Sequence, residues 1–173
     1  MNASRVDKAL QKAIDALQIR DVYLRTSQTL LADDFEPKYD NEFDRLEVQL
    51  QHAVTQTSVL KLEEEGLATV ELFRVFVQLG ARWLEPESDA STEPGESRDQ
   101  DSRLQALVAG VMVAEYEMQS DPGPDALKVF ALRNASYHVW PYWREFLAAQ
   151  CMRMNLPKLV LPTVQFAKVS PPK

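Results

Sequence analysis

One segment near the end of the chain is apolar around most of a helix, and it constrains the fold more than any other feature. A first apolar stripe recurs at helical spacing and consists of Trp140, Trp143, Leu147, Cys151 and Met154. A second set of side chains flanks that stripe and consists of Tyr142, Phe146 and Ala149. Ser136 is the predicted N-cap, and Pro141 lies near enough to the start to be tolerated. Because such a helix is usually buried on several sides, we expect a second subunit to cover part of it.

Four segments that precede this helix have the period-two pattern of β-strands, and they cover residues 19–31, 46–60, 73–82 and 104–118. In the first strand, Val22, Leu24 and Thr26 are expected on one face, opposite the polar side chains. The fourth strand is apolar on both faces in its middle. This pattern indicates a sheet that is covered on both sides, or a strand shared with a partner subunit.

Two shorter helices complete the predicted order of elements. One covers residues 4–18, with Ser4 as its N-cap, and the other covers residues 126–132, after the last strand. The chain therefore reads as helix, four strands, two helices and an extended segment at residues 156–166. A length of 173 residues suits one domain, so residues 1–173 are assigned to one unit.

The negative charge of the chain is concentrated in one segment. Residues 85–102 hold seven acids and one arginine, a net of −6, so the rest carries only −1 of the total −7. This segment also combines Pro86, Pro94 and Gly95 with serine and threonine, and we expect a disordered acidic hairpin loop there. Residues 167–173 are expected to be a polar tail. No basic patch is evident for nucleic acid, which is excluded as a partner.

The inventory of side chains suited to catalysis is poor. The chain has two histidines, His52 and His138, and one cysteine, without zinc-ligand spacing, a P-loop or a G-x-S-x-G sequence. Both histidines are interpreted as partly buried structural residues, and Cys151 as a small core hydrophobe. We therefore predict no enzyme activity, no metal and no cofactor. The N-terminus lacks the pattern of a secretory signal, and a cytoplasmic location without membrane insertion is expected.

Two blocks of the sequence resemble one known family. Residues 137–146 read Tyr-His-Val-Trp-Pro-Tyr-Trp-Arg-Glu-Phe, which resembles the SecB signature, an apolar pair before Pro-Tyr and then Arg-Glu in the long helix. Residues 155–166 resemble the Pro-x-Leu-x-Leu and Pro-Val-x-Phe segment that follows that helix in the family. The helix at residues 4–18 and the acidic hairpin are similar to features of SecB-like chaperones that accompany toxin-antitoxin pairs.

The resemblance implies a fold and an assembly. The fold is α+β of the SecB type, a four-stranded antiparallel sheet followed by a long helix, with a short N-terminal helix. Members form homotetramers as dimers of dimers, with the long helices sandwiched between two sheets. The subunit contacts that it implies here are Tyr23, Trp143, Leu147, Cys151 and Met154.

The resemblance also implies a function, namely an ATP-independent chaperone, or holdase, for protein export or for control of an antitoxin. Its partners would be non-native polypeptides, either a preprotein or an antitoxin, which bind in apolar grooves. The implied groove residues are Phe130, Tyr137, Trp140, Tyr142, Trp143, Phe146, Leu156, Leu159, Leu161, Val164 and Phe166. A contact with the SecA translocase ATPase is implied at Asp21, Glu115 and Glu117, although the chain lacks the further helix and tail of the export form.

The residues leave two functional alternatives open. The aromatic side chains could lie wholly in subunit contacts, which would make the protein an oligomeric adaptor without general client binding. A hotdog-type enzyme also wraps a sheet on a long helix, but its helix follows the first strand, whereas the long helix here follows the fourth. The choice between export and antitoxin control also stays open.

Overall fold

The computed structural model describes residues 3–40, 43–63, 66, 69–86 and 103–161. The elements in chain order are α1 (Ala3–Ala16), β1 (Leu17–Leu31), a 3-10 turn (Phe43–Arg45), β2 (Glu47–Leu62), β3 (Val70–Leu84), β4 (Leu104–Met118), α2 (Pro124–Arg133) and α3 (Ala135–Arg153). The predicted α+β class and order of elements are confirmed. The predicted acidic loop at 85–102 lies outside the described residues except for Glu85 and Pro86, and the tail at 167–173 lies wholly outside them.

The four strands form one antiparallel sheet in the order β1-β4-β3-β2. The last three strands are neighbours in sequence and in space, and β1 lies beside β4, which is a Greek-key arrangement. The two central strands, β3 and β4, are the most buried, as expected for strands with a partner on each side. The long strands β1 and β2 are the two edges, and most of their residues are exposed.

All described helices that pack on the sheet lie on one face, here named the helix side, and the other face is named the open side. The helix side is the main core, where alternate β3 residues from Phe73 to Trp83 pack with alternate β4 residues from Ala106 to Tyr116. Helix α3 closes this core with Val139, Trp143, Leu147 and Cys151. The packing of these side chains against β3 and β4 therefore determines which face of α3 points at the sheet.

Helix α1 continues into β1 without a connecting segment. It ends at Ala16, two residues before the predicted end, because Leu17 already pairs with Met118 in the sheet. The helix packs against α2, with Ala13 fully buried and an ion pair of 3.2 Å between Asp7 and Arg133. It therefore extends the helix layer at the end of the sheet.

The start of α3 differs from the prediction. The helix begins at Ala135, directly after α2 and Asn134, so Ser136 lies in its first turn and the predicted N-cap is wrong. The Ser136 hydroxyl instead lies 2.7 Å from Nε2 of His52 in β2, where it links the helix to the sheet. Pro141 lies inside the helix and removes the hydrogen bond that an N–H would donate to the Tyr137 carbonyl.

The end of α3 is a Schellman motif. Asn155 adopts the left-handed conformation with φ of 54°, which asparagine tolerates better than most residues. The Leu156 N–H donates to the Cys151 carbonyl at 2.9 Å, and Leu156 and Cys151 are both buried. Residues 156–161 form neither helix nor strand, and Leu161 is also buried in the core.

Strand β1 contains two irregularities that its sequence pattern did not reveal. Its register against β4 shifts between Ile19 and Asp21 and again between Leu24 and Thr26, so Arg20 and Arg25 are extra residues in bulges. After the second bulge Thr26 pairs with Val111, an open-side residue. The prediction that Thr26 shares a face with Val22 and Leu24 is therefore wrong, because a bulge moves every later side chain by one position.

Candidate functional site

The helix layer does not cover the full width of the sheet. Helix-side residues of the central strands are almost fully buried, whereas on the edge strands Val22 is buried and several others are not. On β1, Ile19 is 46% exposed, and on β2, Leu50 is 52% exposed. Leu24, Val48 and Val59 are exposed on the same side. Two apolar strips therefore flank the helices on this face.

The surface of the helices that points away from the sheet is also apolar in part. Tyr142 is 51% exposed and Met152 is 79% exposed, and Leu132 and Tyr137 are exposed as well. Large apolar side chains on the surface are normal singly, but several on one layer indicate a surface that meets another polypeptide. The name outer helix surface is used below for Leu132, Tyr137, Tyr142 and Met152.

The structure divides the predicted groove residues into four groups. Phe130, Trp143, Leu156 and Leu161 are buried in the core of the chain itself. Trp140, Phe146 and Leu159 are partly buried and pack against that core. Tyr137 and Tyr142 are exposed. Val164 and Phe166 lie outside the described residues.

Trp143 is the clearest example of a groove residue that the chain uses internally. It is 1% exposed and lies over Gly110 of β4, where a Cβ atom would come within 3.9 Å of its Cζ3 atom. The ring centroid of Phe146 lies 5.8 Å away from that of Trp143. The indole thus fills space that the absence of a side chain at Gly110 leaves open.

The predicted subunit contacts are placed on both faces of the sheet. Three of them, Trp143, Leu147 and Cys151, lie on α3 and are buried between this helix and the sheet. Met154 follows the helix and is partly buried against the same core. Burial raises the pKa of the Cys151 thiol, which keeps it protonated and unreactive. Tyr23 lies on the open side, where its hydroxyl donates to Oε1 of Glu115 at 3.1 Å. In a single chain, only Tyr23 and Met154 of this set reach the surface.

The two histidines connect the first turns of α3 to the sheet. His138 Nδ1 lies 2.9 Å from the hydroxyl of Tyr116 in β4, and the ring of Tyr116 packs edge-on against Phe130 at 4.9 Å. Burial raises the pKa of Tyr116 and lowers the pKa of His138, so both side chains are neutral. Partial burial also lowers the pKa of His52, whose Nε2 atom is hydrogen-bonded to the Ser136 hydroxyl. These contacts are structural, in agreement with the sequence interpretation.

Glu115, one of the three predicted translocase contacts, is engaged within the chain. Arg74 Nε lies 3.0 Å from Glu115 Oε1, turned so that it makes an ion pair but no hydrogen bond, and Arg74 Nη2 donates to the Tyr23 hydroxyl at 2.8 Å. Asp21 is exposed and its carboxylate accepts from the Val22 N–H, while Glu117 accepts from the Gln119 amide. Glu115 is therefore held in an ion pair within the chain, whereas Asp21 and Glu117 make local hydrogen bonds.

Arginines stand beside these acids on the open side. The guanidinium groups of Arg25 and Arg74 lie 5.5 Å and 5.2 Å from the centre of the Phe76 ring. Arg25 is exposed and lies in the second bulge of β1. The open side thus carries a mixed charge around Phe76 rather than a uniformly acidic surface.

The connector between β1 and β2 forms a polar cleft that the sequence interpretation did not identify. The cleft has a volume of about 370 Å³. Its lining is Asp34, Phe35, Glu36, Tyr39, Asp40, Arg45, Glu85 and Gln105. Arg45 makes ion pairs with Asp40 at 3.1 Å and with Glu85 at 3.4 Å. The sequence signal that could have indicated this cleft is the density of acidic residues between positions 33 and 44.

The described part of the chain offers neither a candidate metal site nor a helix suited to span a membrane. No group of three or more His, Cys, Asp or Glu side chains there is arranged to hold a metal ion. Among the same residues, no helix has the length and apolar character needed to cross a membrane.

Comparison with known proteins identifies the fold. At the level of sequence, no family model and no curated protein matches the chain. At the level of structure, the sheet and its helix layer match those of SecB-like chaperones, so the chain has the SecB-like α+β fold. One such structure is the SecB-like chaperone Rv1957 of Mycobacterium tuberculosis in complex with a ChAD peptide from the antitoxin HigA1 (Rv1956). The match has a TM-score of 0.63 and 18% identity, and it covers 91% of this chain and 97% of that one.

Proposed function

We propose that the chain is a member of the SecB family and acts as a chaperone that binds non-native polypeptide without ATP and without enzyme activity. The observation that carries this proposal is the uncovered apolar surface of a chain with the SecB-like fold. The central strands are buried, yet Ile19, Leu50, Tyr142 and Met152 are each close to half exposed or more. Apolar side chains in such number favour contact with unfolded segments or with other subunits.

Assembly would use part of this surface. We propose a homotetramer, a dimer of dimers, in which the helix layers of paired subunits meet and the helices lie between two sheets. Trp143, Leu147 and Cys151 would support this contact from within the core, while Tyr137 and Tyr142 would stay accessible to clients. Tyr23 and Met154 are the members of the predicted set that a second subunit could touch directly.

Client binding would use the apolar surface that assembly leaves open. Of the predicted groove residues, Tyr137, Tyr142, Trp140, Phe146 and Leu159 have surface to offer, and the buried ones shape the groove from beneath. Three or four client side chains at roughly 1.5 to 3 kcal/mol each, less the ordering of the client, give an affinity of about micromolar per groove. Several grooves on one tetramer would raise the avidity for a long client by roughly 10² to 10⁴.

The protein would be cytoplasmic, and its client would be either a preprotein or an antitoxin. The antitoxin peptide bound by the mycobacterial chaperone supports an antitoxin client. Helix α1 supports it as well, because the N-terminal helix is a feature that this sequence shares with the SecB-like chaperones of toxin-antitoxin pairs. A contact with SecA would use Asp21 and Glu117, since Glu115 is already paired with Arg74.

A test compares the aggregation of a chemically unfolded client protein, measured by light scattering, with and without the purified chain. The proposal predicts suppression at a small molar excess of tetramer, without nucleotide. The double variant Tyr137→Lys/Tyr142→Lys should lose suppression, while Tyr39→Lys, an exposed tyrosine of the connector, should keep it. Solution mass is measured for each variant, so that loss of binding is separated from loss of assembly.

The adaptor alternative is favoured by one observation. Phe130 and Trp143 lie in the core of the chain itself, so fewer aromatic side chains are available for clients than the sequence indicates. An adaptor would assemble with the expected mass but would not suppress the aggregation of an unrelated unfolded protein. That result would replace the chaperone proposal.

A further inference from the structure

Helix α1 carries a line of positive charge on its surface. Arg5, Lys8 and Lys12 are all exposed, and their spacing of three and four residues places them on one side of the helix. In the described part of the chain, no ion pair involves any of these three side chains. The name basic stripe is used below for Arg5, Lys8 and Lys12.

Both acids of α1 have partners outside the basic stripe. Asp7 forms an ion pair of 3.2 Å with Arg133 of α2. The Asp15 carboxylate accepts a hydrogen bond of 2.8 Å from the side-chain amide of Gln11. The positive charges of the stripe therefore remain available to a partner of opposite charge.

Negative charge is concentrated at the other end of β1, where the connector to β2 begins. Asp33, Asp34 and Glu36 are all exposed there. The two bases of the connector are engaged elsewhere, because Arg45 pairs with two other acids and the Lys38 amine lies over an aromatic ring. The name acidic connector is used below for Asp33, Asp34 and Glu36.

The basic stripe cannot reach the acidic connector of its own chain. Strand β1, which separates the two, has 15 residues and is therefore about 45 Å long. Helix α1 has 14 residues and is about 21 Å long. Even a helix that lay back along the strand would cover less than half of the distance. The two charged surfaces of one chain can therefore meet only those of another molecule.

We infer that the basic stripe of one subunit docks on the acidic connector of a second copy of the chain, which returns the same contact. Each copy carries one surface of each sign, so two copies can satisfy both pairs at once in a closed, two-fold arrangement. An arrangement that placed stripe on stripe, or connector on connector, would bring like charges together. The inference rests on the proposed assembly, in which the helix layers supply the other contact.

The size of this contact limits what it can do. An exposed helix face about 21 Å long and about 10 Å wide covers on the order of 200 Å², and the two reciprocal contacts give about 400 Å² on each partner. A stable interface needs about 800 Å² on each partner. Ion pairs at exposed positions are also weak and screened by salt. The contact therefore orients and tightens an assembly that apolar surface holds together.

The test reverses each charged surface in turn and then mixes the products. One full-length variant is Lys8→Glu/Lys12→Glu, and the other is Asp34→Lys/Glu36→Lys. Sedimentation velocity over a range of subunit concentrations, at about 0.1 M salt, measures subunit dissociation. Each variant alone should dissociate at least about tenfold more readily than the unsubstituted chain, because both reciprocal contacts become repulsive. An equimolar mixture should return to within about threefold, because reversed helices then meet reversed connectors.

The same variants separate a local contact from the effect of net charge. The substitutions in α1 change the net charge from −7 to −11, and those in the connector change it to −3. General repulsion between negative subunits would therefore make the connector variant assemble more tightly, whereas the inference predicts weaker assembly. At about 1 M salt, both variants should come within about threefold of the unsubstituted chain.

Three results would overturn the inference. A mixture as weak as its two components would show that the stripe and the connector do not meet across subunits. Weakening by the substitutions in α1 alone would show that the stripe meets a different acidic segment, such as residues 87–102. An unsubstituted chain that stays monomeric at all concentrations would remove the docking contact together with the proposed assembly.

Client binding is scored separately by light scattering with an unfolded protein. None of the four substituted residues belongs to the outer helix surface. If aggregation is suppressed but neither reversal weakens assembly, the docking contact fails and the chaperone proposal stands. If the mixture restores assembly while no form of the chain suppresses aggregation, the docking contact stands and the chaperone proposal fails.

Discussion

Replacing Gly110 with alanine measures how closely β1, β4 and α3 pack together. A Cβ atom at this position would lie 3.0 Å from Leu24 Cδ1 and 3.0 Å from the backbone oxygen of Thr26. The Leu24 side chain can move, but the Thr26 carbonyl belongs to the bulged part of β1 and cannot yield without moving the strand. The substitution therefore pushes β1 away from β4 at this position, whereas the Trp143 ring, at 3.9 Å from the added Cβ atom, stays in ordinary contact.

A neighbouring glycine provides the matched control. Gly80 of β3 pairs with Ala109, one position along β4 from Gly110, and it lies on the open side. A Cβ atom there would have Gln51 Oε1 as its nearest atom at 3.5 Å, which is an ordinary contact. Both glycines lie in regular central strands, so the change in chain entropy on substitution is the same for both.

The two substitutions should have opposite signs. Alanine in place of glycine stabilises by about 0.4 to 1 kcal/mol through the unfolded chain, and this gain applies to Gly80→Ala. Overpacking costs about 1 to 3 kcal/mol, so Gly110→Ala should lose about 1 to 2 kcal/mol after the same gain. The difference between the two variants in the free energy of unfolding is then about 2 kcal/mol.

Urea unfolding followed by tryptophan fluorescence, at one fixed subunit concentration, measures this difference. The concentration is held constant because assembly contributes to the apparent stability. If Gly110→Ala is as stable as Gly80→Ala, the packing of Leu24, Thr26 and Trp143 around Gly110 is looser than the structure shows, and the reasoning is refuted.

Three other predictions concern the core, pH and the open side. Trp143→Ala should lower the free energy of unfolding by about 3 to 5 kcal/mol, because it leaves a cavity under α3, and an unchanged urea midpoint would contradict that role. Because burial lowers the pKa of His52 and His138, the unfolded chain takes up protons more readily below pH 6.5. The urea midpoint should be highest above pH 6.5 and fall as the pH is lowered below 6.5, less steeply in His138→Gln; a flat profile would count against desolvated, neutral imidazoles. Glu115→Gln should cost about 1 kcal/mol in thermal or urea unfolding, because it removes the charge that pairs with Arg74, whereas Glu117→Gln should be close to neutral; equal effects would argue against that pair.

Local patterns in the sequence predicted most of the secondary structure. The fourth strand was placed at residues 104–118, as observed, and the others were placed within a few residues of their ends. Period-two alternation and turn residues act over short distances, so they are visible without knowledge of the fold. Capping was less predictable, because Ser136 found a partner in His52, which lies 84 residues away in the chain.

The candidate site was less predictable than the elements that form it. An amphipathic helix shows its buried face in its sequence, but α3 is apolar around most of its circumference and has no polar face to orient it. Trp143 and Tyr142 are neighbours of similar character, yet the first is buried and the second is half exposed. Only the position of Gly110 and the neighbouring strands decides which ring points inwards.

By itself, the sequence determined the order of the elements, the long apolar helix and the shortage of catalytic groups, because these depend on composition and on periodicity along the chain, and its resemblance to the SecB family implied the class of fold. The tertiary structure decided the order of strands in the sheet, the two arginine bulges of β1 and the placement of β1 and β2 at the edges. These features depend on which distant segments pair and in what register. Alternation along a strand does not by itself distinguish an edge strand from a central one, because hydrogen bonding to a neighbour is settled only when the chain has folded.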